Sequence, residues 1–202
     1  NKASARNTLV SMHNASRILL SGRVRLMEGE AEKRWIPRLY EEVAGQTLRE
    51  ARVGLVGVHG AGIIPKCFEI LSTMNMNVGA LVDLDFVFGH AANKGLLEED
   101  DEHLQVCKQI HDDDAEVLHS ETGAKQLVES GDADTEIQHL HEKMREQSYW
   151  VWPGGALEAH LGIDGKNEST WADFKDELEE DGFEQAVSEP ESVQQLIEWI
   201  DG

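Results

Sequence analysis

The chain has 202 residues, of which 40% are hydrophobic and 28% are charged, and its formal net charge is −21. This length suits one compact domain, and the composition is that of an ordinary globular protein. No apolar run approaches the roughly 20 residues of a membrane span, so no membrane-spanning helix is expected in this sequence. The N-terminus has neither a signal peptide nor an initiator Met, so we expect a cytoplasmic protein and a piece of a longer chain.

Strand and helix patterns alternate in the first half of the chain. Residues 1–20 have mixed apolar spacing, which predicts an N-terminal helix or a linker from a preceding domain. “RVRLM” predicts the first strand, “ARVGLVGV” the second and “VGALVDLD” the third, and a helical pattern follows each of the first two. Near-continuous apolar strands that alternate with helices predict a parallel sheet covered on both faces.

The second half of the chain is more acidic and more helical. Residues 96–148 are charged, rich in His and helical in spacing, which predicts a helical insertion. “SYWVWPGG” predicts a fourth strand that stops at Pro153, and residues 167–202 predict amphipathic C-terminal helices. The expected fold class is therefore α/β, with a central parallel sheet of about four strands flanked by helices.

Charge is distributed unevenly along the chain. Residues 1–66 hold eleven Lys and Arg against six acidic residues, a net of +5, whereas residues 67–202 hold seven against thirty-three, a net of −26. The acidic part predicts solvated helix faces, and the basic part offers a surface for the phosphate groups of a nucleic acid. The basic residues around the first predicted strand and helix include Arg17, Arg23, Arg25, Lys33, Arg34 and Arg38.

The residues that usually bind soft metals show no ligand spacing. Cys67 and Cys107 are forty residues apart, so we expect two reduced thiols. His139 and His141 are two residues apart and therefore fall on different sides of a helix, so no zinc site is expected there.

Acidic residues stand at the ends of three predicted strands. Glu28 follows the first strand, Asp83 and Asp85 end the third, and Glu158 follows the fourth. Because the carboxyl ends of parallel strands share one edge of the sheet, we expect these side chains to converge. Glu32 lies one helical turn beyond Glu28 and can face the same crevice. If the third strand stays extended between its two aspartates, both point the same way.

Converging carboxylates indicate a cation. Like charges a few ångströms apart raise one another's pKa unless a positive ion lies between them. Oxygen ligands suit Mg²⁺ or Mn²⁺ better than Zn²⁺. There is room for two ions about 4 Å apart, one to activate water and one to stabilise the leaving oxygen of a phosphodiester. A lone Asp-x-Asp, or a Glu that caps a helix, would not indicate a metal, but their combination does.

The segments “RVRLMEGEAEKRWIPRLYEEV”, “VGVHGAGIIPK” and “ALVDLDFVF” together resemble a Toprim domain, the metal-binding catalytic fold of topoisomerases, bacterial primases and several nucleases. “EGEAE” and the late “GGALEAHL” more narrowly resemble the OLD (overcoming lysogenization defect) nucleases, which include Gabija-type anti-phage proteins. The resemblance implies a Toprim catalytic core in residues 21–95 and 149–166, interrupted by the insertion.

The resemblance implies a DNA endonuclease that nicks or cleaves with two divalent metal ions, Mg²⁺ or Mn²⁺, in phage defence or DNA processing. OLD proteins carry an N-terminal ABC-type ATPase before the Toprim domain, and this chain has no Walker A loop, so we expect its partners to be that ATPase and DNA. The family relation is compatible with a homodimer. By resemblance, the metal ligands are Glu28, Glu32, Asp83, Asp85 and Glu158. Glu28 would also act as the general base, and a late lysine near the scissile phosphate would be Lys166 or Lys175.

Two alternatives stay open at this point. The same carboxylates could serve ribonuclease or primase-like chemistry, because these reactions share their metal chemistry. A degenerate Toprim domain could instead bind a partner or regulate an ATPase through its acidic helices. The complete set of carboxylates argues against this second alternative, since a decayed site should have lost at least one.

Overall fold

The computed structural model of the chain describes residues 18, 21–110, 115–165 and 167–202. Its strands form one sheet with the order β2-β1-β3-β4, in which all neighbours are parallel. They are β1 (Arg23–Met27), β2 (Val53–Gly57), β3 (Asn77–Val82) and β4 (Tyr149–Val151). The predicted α/β fold with a four-stranded parallel sheet is confirmed.

Helices connect and cover these strands. Helices α1 (Glu30–Ala44) and α2 (Ile64–Thr73) link the first three strands. Between β3 and β4 lie α3 (Leu84–Phe86), α4 (Glu102–Ile110), α5 (Ala115–Leu118), α6 (Glu121–Ser130) and α7 (Asp134–Glu146). After β4 follow α8 (Leu157–Leu161), α9 (Glu168–Glu180), α10 (Phe183–Ala186) and α11 (Pro190–Asp201). Within the described ranges, no helix is both long enough and apolar enough to cross a bilayer.

The sheet has a hydrophobic core on each face. On one face, side chains such as Val24 and Leu26 pack against α2, α4, α6 and α7. On the other face, side chains such as Met27 and Trp150 pack against α1, α9 and α11. Because the side chains of a strand alternate between faces, an uninterrupted apolar strand can supply both cores at once. Cys67 and Cys107 are both buried and unbonded to each other, as expected for two thiols.

The strand order creates a switch point between β1 and β3. The chain leaves β1 to add β2 on one side, then crosses to add β3 and β4 on the other. In open parallel sheets, ligands bind outside the carboxyl ends of the strands where the order reverses. Glu28 directly follows β1 and Asp83 directly follows β3, so two of the predicted site residues flank this point.

The third strand is shorter than its sequence pattern predicts. It ends at Val82, Asp83 keeps an extended backbone (φ −74°, ψ 164°), and a helical turn begins at Leu84. The expectation of an extended backbone through Asp85 is therefore wrong. The turn continues into a π-helical segment, Val87–Ala91, a rare conformation that often occurs at functional sites.

Arg25 is a buried structural residue and offers no surface for phosphate. It lies in β1, is 2% exposed and donates hydrogen bonds to Asn77 Oδ1 (3.1 Å) and to the carbonyl oxygen of Ile200 (2.8 Å). Its guanidinium also lies over the ring of Trp199, 5.0 Å from the centroid. The pKa of Arg25 is lowered to about 10, mainly by burial and to a smaller extent by the charge of Arg23. Arg25 therefore ties β1 to the end of α11.

Three other arginines of the basic first third contact acidic residues of the C-terminal helices. Because both partners belong to this chain, these ion pairs offset part of the excess positive charge of the first third. The nitrogen–oxygen distances are 3.6 Å for Arg23–Asp201, 2.9 Å for Arg34–Glu168 and 2.8 Å for Arg38–Glu179.

Candidate active site

A cavity of about 320 Å³ opens at the carboxyl edge of the sheet, beside β3 and β4. Asp83, Asp85 and Glu158 line it together. Asp83 and Asp85 are half-buried, and Glu158 is 8% exposed at the start of α8. The structure thus brings three of the five predicted carboxylates, from two different strand ends, to one cavity.

The turn that follows β4 and contains Gly154 and Gly155 is hydrogen-bonded to the end of β3. The amide of Trp152 donates to the carbonyl oxygen of Val82 (3.2 Å), and the amide of Leu84 donates to that of Gly155 (2.8 Å). Gly155 has a φ of 101°, a backbone conformation that side-chain-bearing residues rarely adopt. These two bonds fix the segment before Glu158 beside Asp83.

The buried side chain of His160 is hydrogen-bonded to the same glycine turn. Its ring is 1% exposed, and Nε2 accepts a hydrogen bond from the amide of Gly154 at 3.0 Å. Since Nε2 accepts, the proton is on Nδ1, which lies 2.5 Å from Glu189 Oε2 and donates to it. The hydrogen bond from His160 lowers the pKa of Glu189. The turn and α8 are therefore positioned by a buried side chain.

Glu28 is exposed at the end of β1 and lies within electrostatic range of the cavity. Burial is the main cause that raises the pKa of Asp85, and the negative charges of Glu28 and Glu121 raise it further. The backbone amide of Phe86 and the His90 ring act in the opposite direction. The excess of negative charge around Asp85 favours a cation.

Glu32 lies in the first turn of α1, and its side chain is directed back toward the β1–α1 turn. It is 5% exposed, and its carboxylate packs against Gly29. A Cβ atom at Gly29 would lie 1.8 Å from Glu32 Oε2, so only glycine leaves room for this carboxylate. Glu32 does not line the cavity, and its carboxylate lies against Gly29, the residue that follows Glu28.

Substitution Gly29→Ala is expected to displace the Glu32 carboxylate with little loss of stability. The added methyl group meets the end of a flexible side chain, which can rotate away at a cost below about 1 kcal/mol. If Glu32 contributes to cation binding, more Mg²⁺ or Mn²⁺ will be needed for half-maximal activity. The measurement is the metal dependence of cleavage, together with urea unfolding; Gly22→Ala, where the new methyl group meets only atoms of Arg52 at 3.9 Å, is the stability control. An unchanged metal dependence would remove Glu32 from the ligand set.

The predicted carboxylates do not form a compact cluster. Within the described residues, no three of them bring oxygen atoms within 4.8 Å of one another. Such a spread is what mutual repulsion favours, and ion binding would draw the groups together. Of the two lysine candidates, Lys166 lies outside the described residues. Lys175 does not line the cavity and pairs with Glu179 at 3.3 Å.

One wall of the cavity comes from α6 in the helical insertion, which the sequence reasoning did not associate with the site. Glu121, Lys125 and Glu129 line the cavity from successive turns of this helix. Lys125 Nζ lies 3.7 Å from Glu129 Oε1, and Lys125 is the one Lys or Arg among the described lining residues. The four-residue spacing was visible in the sequence, but the position of the helix beside the sheet was not.

Comparison with known proteins identifies one domain family. Residues 19–85 match the profile of the family described as “Overcoming lysogenization defect protein-like, TOPRIM domain”. This range includes β1 to β3 and ends at Asp85. The resemblance stated from the sequence is thereby confirmed.

Alignments with two similar proteins cover most of this chain. The Old nuclease of Escherichia phage P2 is 23% identical over 207 aligned residues, which cover 94% of this chain and 35% of the phage protein. The chain therefore spans about a third of the length of this relative. The solved C-terminal region of the OLD protein of Xanthomonas campestris pv. campestris is 21% identical, with a TM-score of 0.44 and coverage of 91% of this chain and 80% of that one.

Proposed function

We propose that this chain, of which residues 19–85 match the profile of the OLD-like Toprim domain, is the DNA-cleaving part of a longer nuclease. In this proposal it hydrolyses phosphodiester bonds with two divalent ions, Mg²⁺ or Mn²⁺. The observation that carries it is the convergence of Asp83, Asp85 and Glu158 on one cavity at the carboxyl edge of the sheet.

The residues of this cavity suit divalent ions with hard-oxygen preference. The donors are carboxylate oxygens from separate elements, and no Cys or His lines the cavity among the described residues. Toprim domains generally act with divalent metals, and Mg²⁺ is usually bound by a few carboxylates together with water and substrate phosphate. Asp83, Asp85 and Glu158 would hold the ions, with Glu28 and Glu32 at the neighbouring strand end.

Each protein group then has a defined role. Bound ions supply a more acidic water and neutralise charge on the phosphate. Glu28, exposed at the end of β1, would accept the proton of the attacking water. Lys125, which also lines the cavity, would contact the substrate phosphate, and the turn bonded to His160 would keep Glu158 in place.

The longer protein is part of the proposal. Since the Old nuclease is about three times as long as the matched region, the remainder would include the ABC-type ATPase that OLD proteins carry. ATP hydrolysis there would control access of DNA to the cavity, in phage defence or DNA processing.

The test is cleavage of supercoiled plasmid by the purified chain with Mg²⁺ or Mn²⁺, beside a reaction with EDTA. We expect metal-dependent conversion to nicked or linear DNA, and a parallel assay with single-stranded RNA separates the ribonuclease alternative. Cleavage that persists in EDTA would contradict the metal role. Absence of cleavage with either ion, also after the rest of the protein is restored, would favour the partner-binding alternative.

A further inference from the structure

A second group of metal-binding side chains lies in the helical insertion, apart from the carboxylate cavity. His103 in α4 and Glu136 and His139 in α7 bring one ligand atom each within 4.8 Å of one another. Glu136 and His139 are three residues apart and therefore share a face of α7. None of the three lines the carboxylate cavity. The trio joins two helices that are distant in sequence.

The contacts within this trio already bring its donor atoms together. His103 Nδ1 lies 2.5 Å from Glu136 Oε2, and the rings of His103 and His139 stack with centroids 4.3 Å apart. His103 and Glu136 are half-buried, whereas His139 is exposed and has room to rotate. Lys143, two turns beyond Glu136 on α7, is paired with Asp101 at 2.6 Å.

We propose that His103, Glu136 and His139 bind a zinc ion that links α4 to α7. Two imidazoles and one carboxylate form a ligand set typical of Zn²⁺, with water in the fourth position. Bond lengths of about 2.0–2.2 Å in a tetrahedron put ligand atoms about 3.4 Å apart. Zn²⁺ would displace the proton shared by His103 Nδ1 and Glu136 Oε2, whose 2.5 Å separation would open toward that value, and rotation of the exposed His139 would bring in the third ligand.

Zinc at this position would restrict the motion of α6, which forms one wall of the carboxylate cavity. Helix α6 lies between α4 and α7 in the chain, and α7 leads directly into β4. The ion would close this segment into a loop and so reduce the freedom of the helix that carries Glu121 and Lys125. Nitrogen ligands distinguish the site from the oxygen-lined cavity, which prefers Mg²⁺ or Mn²⁺.

The test is calorimetric titration of the EDTA-stripped and dialysed chain with Zn²⁺ in excess Mg²⁺, which keeps the oxygen-lined cavity filled. We expect one zinc ion per chain, a higher melting temperature with zinc, and intense visible absorption when Co²⁺ replaces it. His139→Ala should weaken zinc binding by at least about tenfold without lowering the melting temperature of the zinc-free chain, because this side chain is exposed. Glu136→Gln, which keeps the size of the side chain, should weaken it as well.

The matched control is His119→Ala, since His119 is an exposed histidine of the same insertion. Zinc affinity should be unchanged in His119→Ala and in Asp83→Asn, which alters only the carboxylate cavity. Failure to bind zinc, or equal binding by His139→Ala and the unmodified chain, would overturn the proposal. Neither result depends on nuclease activity.

Discussion

Replacement of Asp83 or Asp85 by Asn is expected to lower metal-dependent cleavage by about two to three orders of magnitude. Both carboxylates line the cavity, and Asn keeps their shape while removing the charge that holds a divalent ion. The measurement is the initial rate of plasmid nicking as a function of Mg²⁺ or Mn²⁺ concentration. The rate deficit should shrink as the metal concentration rises if binding of the ion is what has been weakened.

Urea unfolding of the variants distinguishes weakened metal binding from loss of the folded structure. Because the folded protein raises the pKa of Asp85, its ionised form is disfavoured, and stability falls as the pH rises from the unfolded pKa through the folded one. In EDTA at neutral pH, Asp85→Asn should therefore unfold at the same or a higher urea concentration than the unmodified chain. The matched control is Asp132→Asn, an exposed aspartate outside the cavity. Full activity in both Asp83→Asn and Asp85→Asn would contradict the site assignment.

The largest loss of stability is expected for Gly123→Ala in α6. A Cβ atom at this buried glycine would lie 1.9 Å from the carbonyl oxygen of Val117, a backbone atom that cannot rotate away. The helix must shift away from α5, at a cost of about 1–3 kcal/mol that exceeds the gain of about 1 kcal/mol in helix propensity. Urea unfolding measures the loss, and cleavage should fall as well, because Glu121 and Lys125 move with α6.

Gln126→Ala is the control for this substitution, since Gln126 is exposed on the same helix. It should leave both the free energy of unfolding and the cleavage rate within the error of the unmodified chain. Equal stability of Gly123→Ala and Gln126→Ala would contradict the close contact between Gly123 and the carbonyl of Val117.

The sheet was predictable because its signal is local. Each parallel strand is buried on both faces and therefore appears as a continuous apolar run, as in β2 and β3. The end of β3 could not be predicted, because the alternation in Asp83-Leu84-Asp85 fits an extended strand as well as a helical turn. Leu84 begins a helix in the folded protein, where its amide bonds to Gly155, more than seventy residues away.

The carboxylate site was predictable only in part for the same reason. Glu28, Asp83 and Glu158 are marked by the strands that precede them, whereas α6 reaches the cavity through tertiary packing. The trio of His103, Glu136 and His139 shows more clearly what sequence spacing cannot predict. Spacing along one helix correctly separates His139 from His141, whose buried ring bonds to Val151, but it carries no information on His103 in another helix.

The bonds of Arg25 bear on the order in which the chain can fold. This residue belongs to the first strand, yet its partners Trp199 and Ile200 are 174 and 175 residues further along. Contacts of such long sequence separation slow folding, since the loop must close before they form. During synthesis, β1 leaves the ribosome long before the carbonyl groups of Trp199 and Ile200, so these two bonds form only after α11 has been made. The contact between β1 and α11 is therefore among the last parts of the domain that can form.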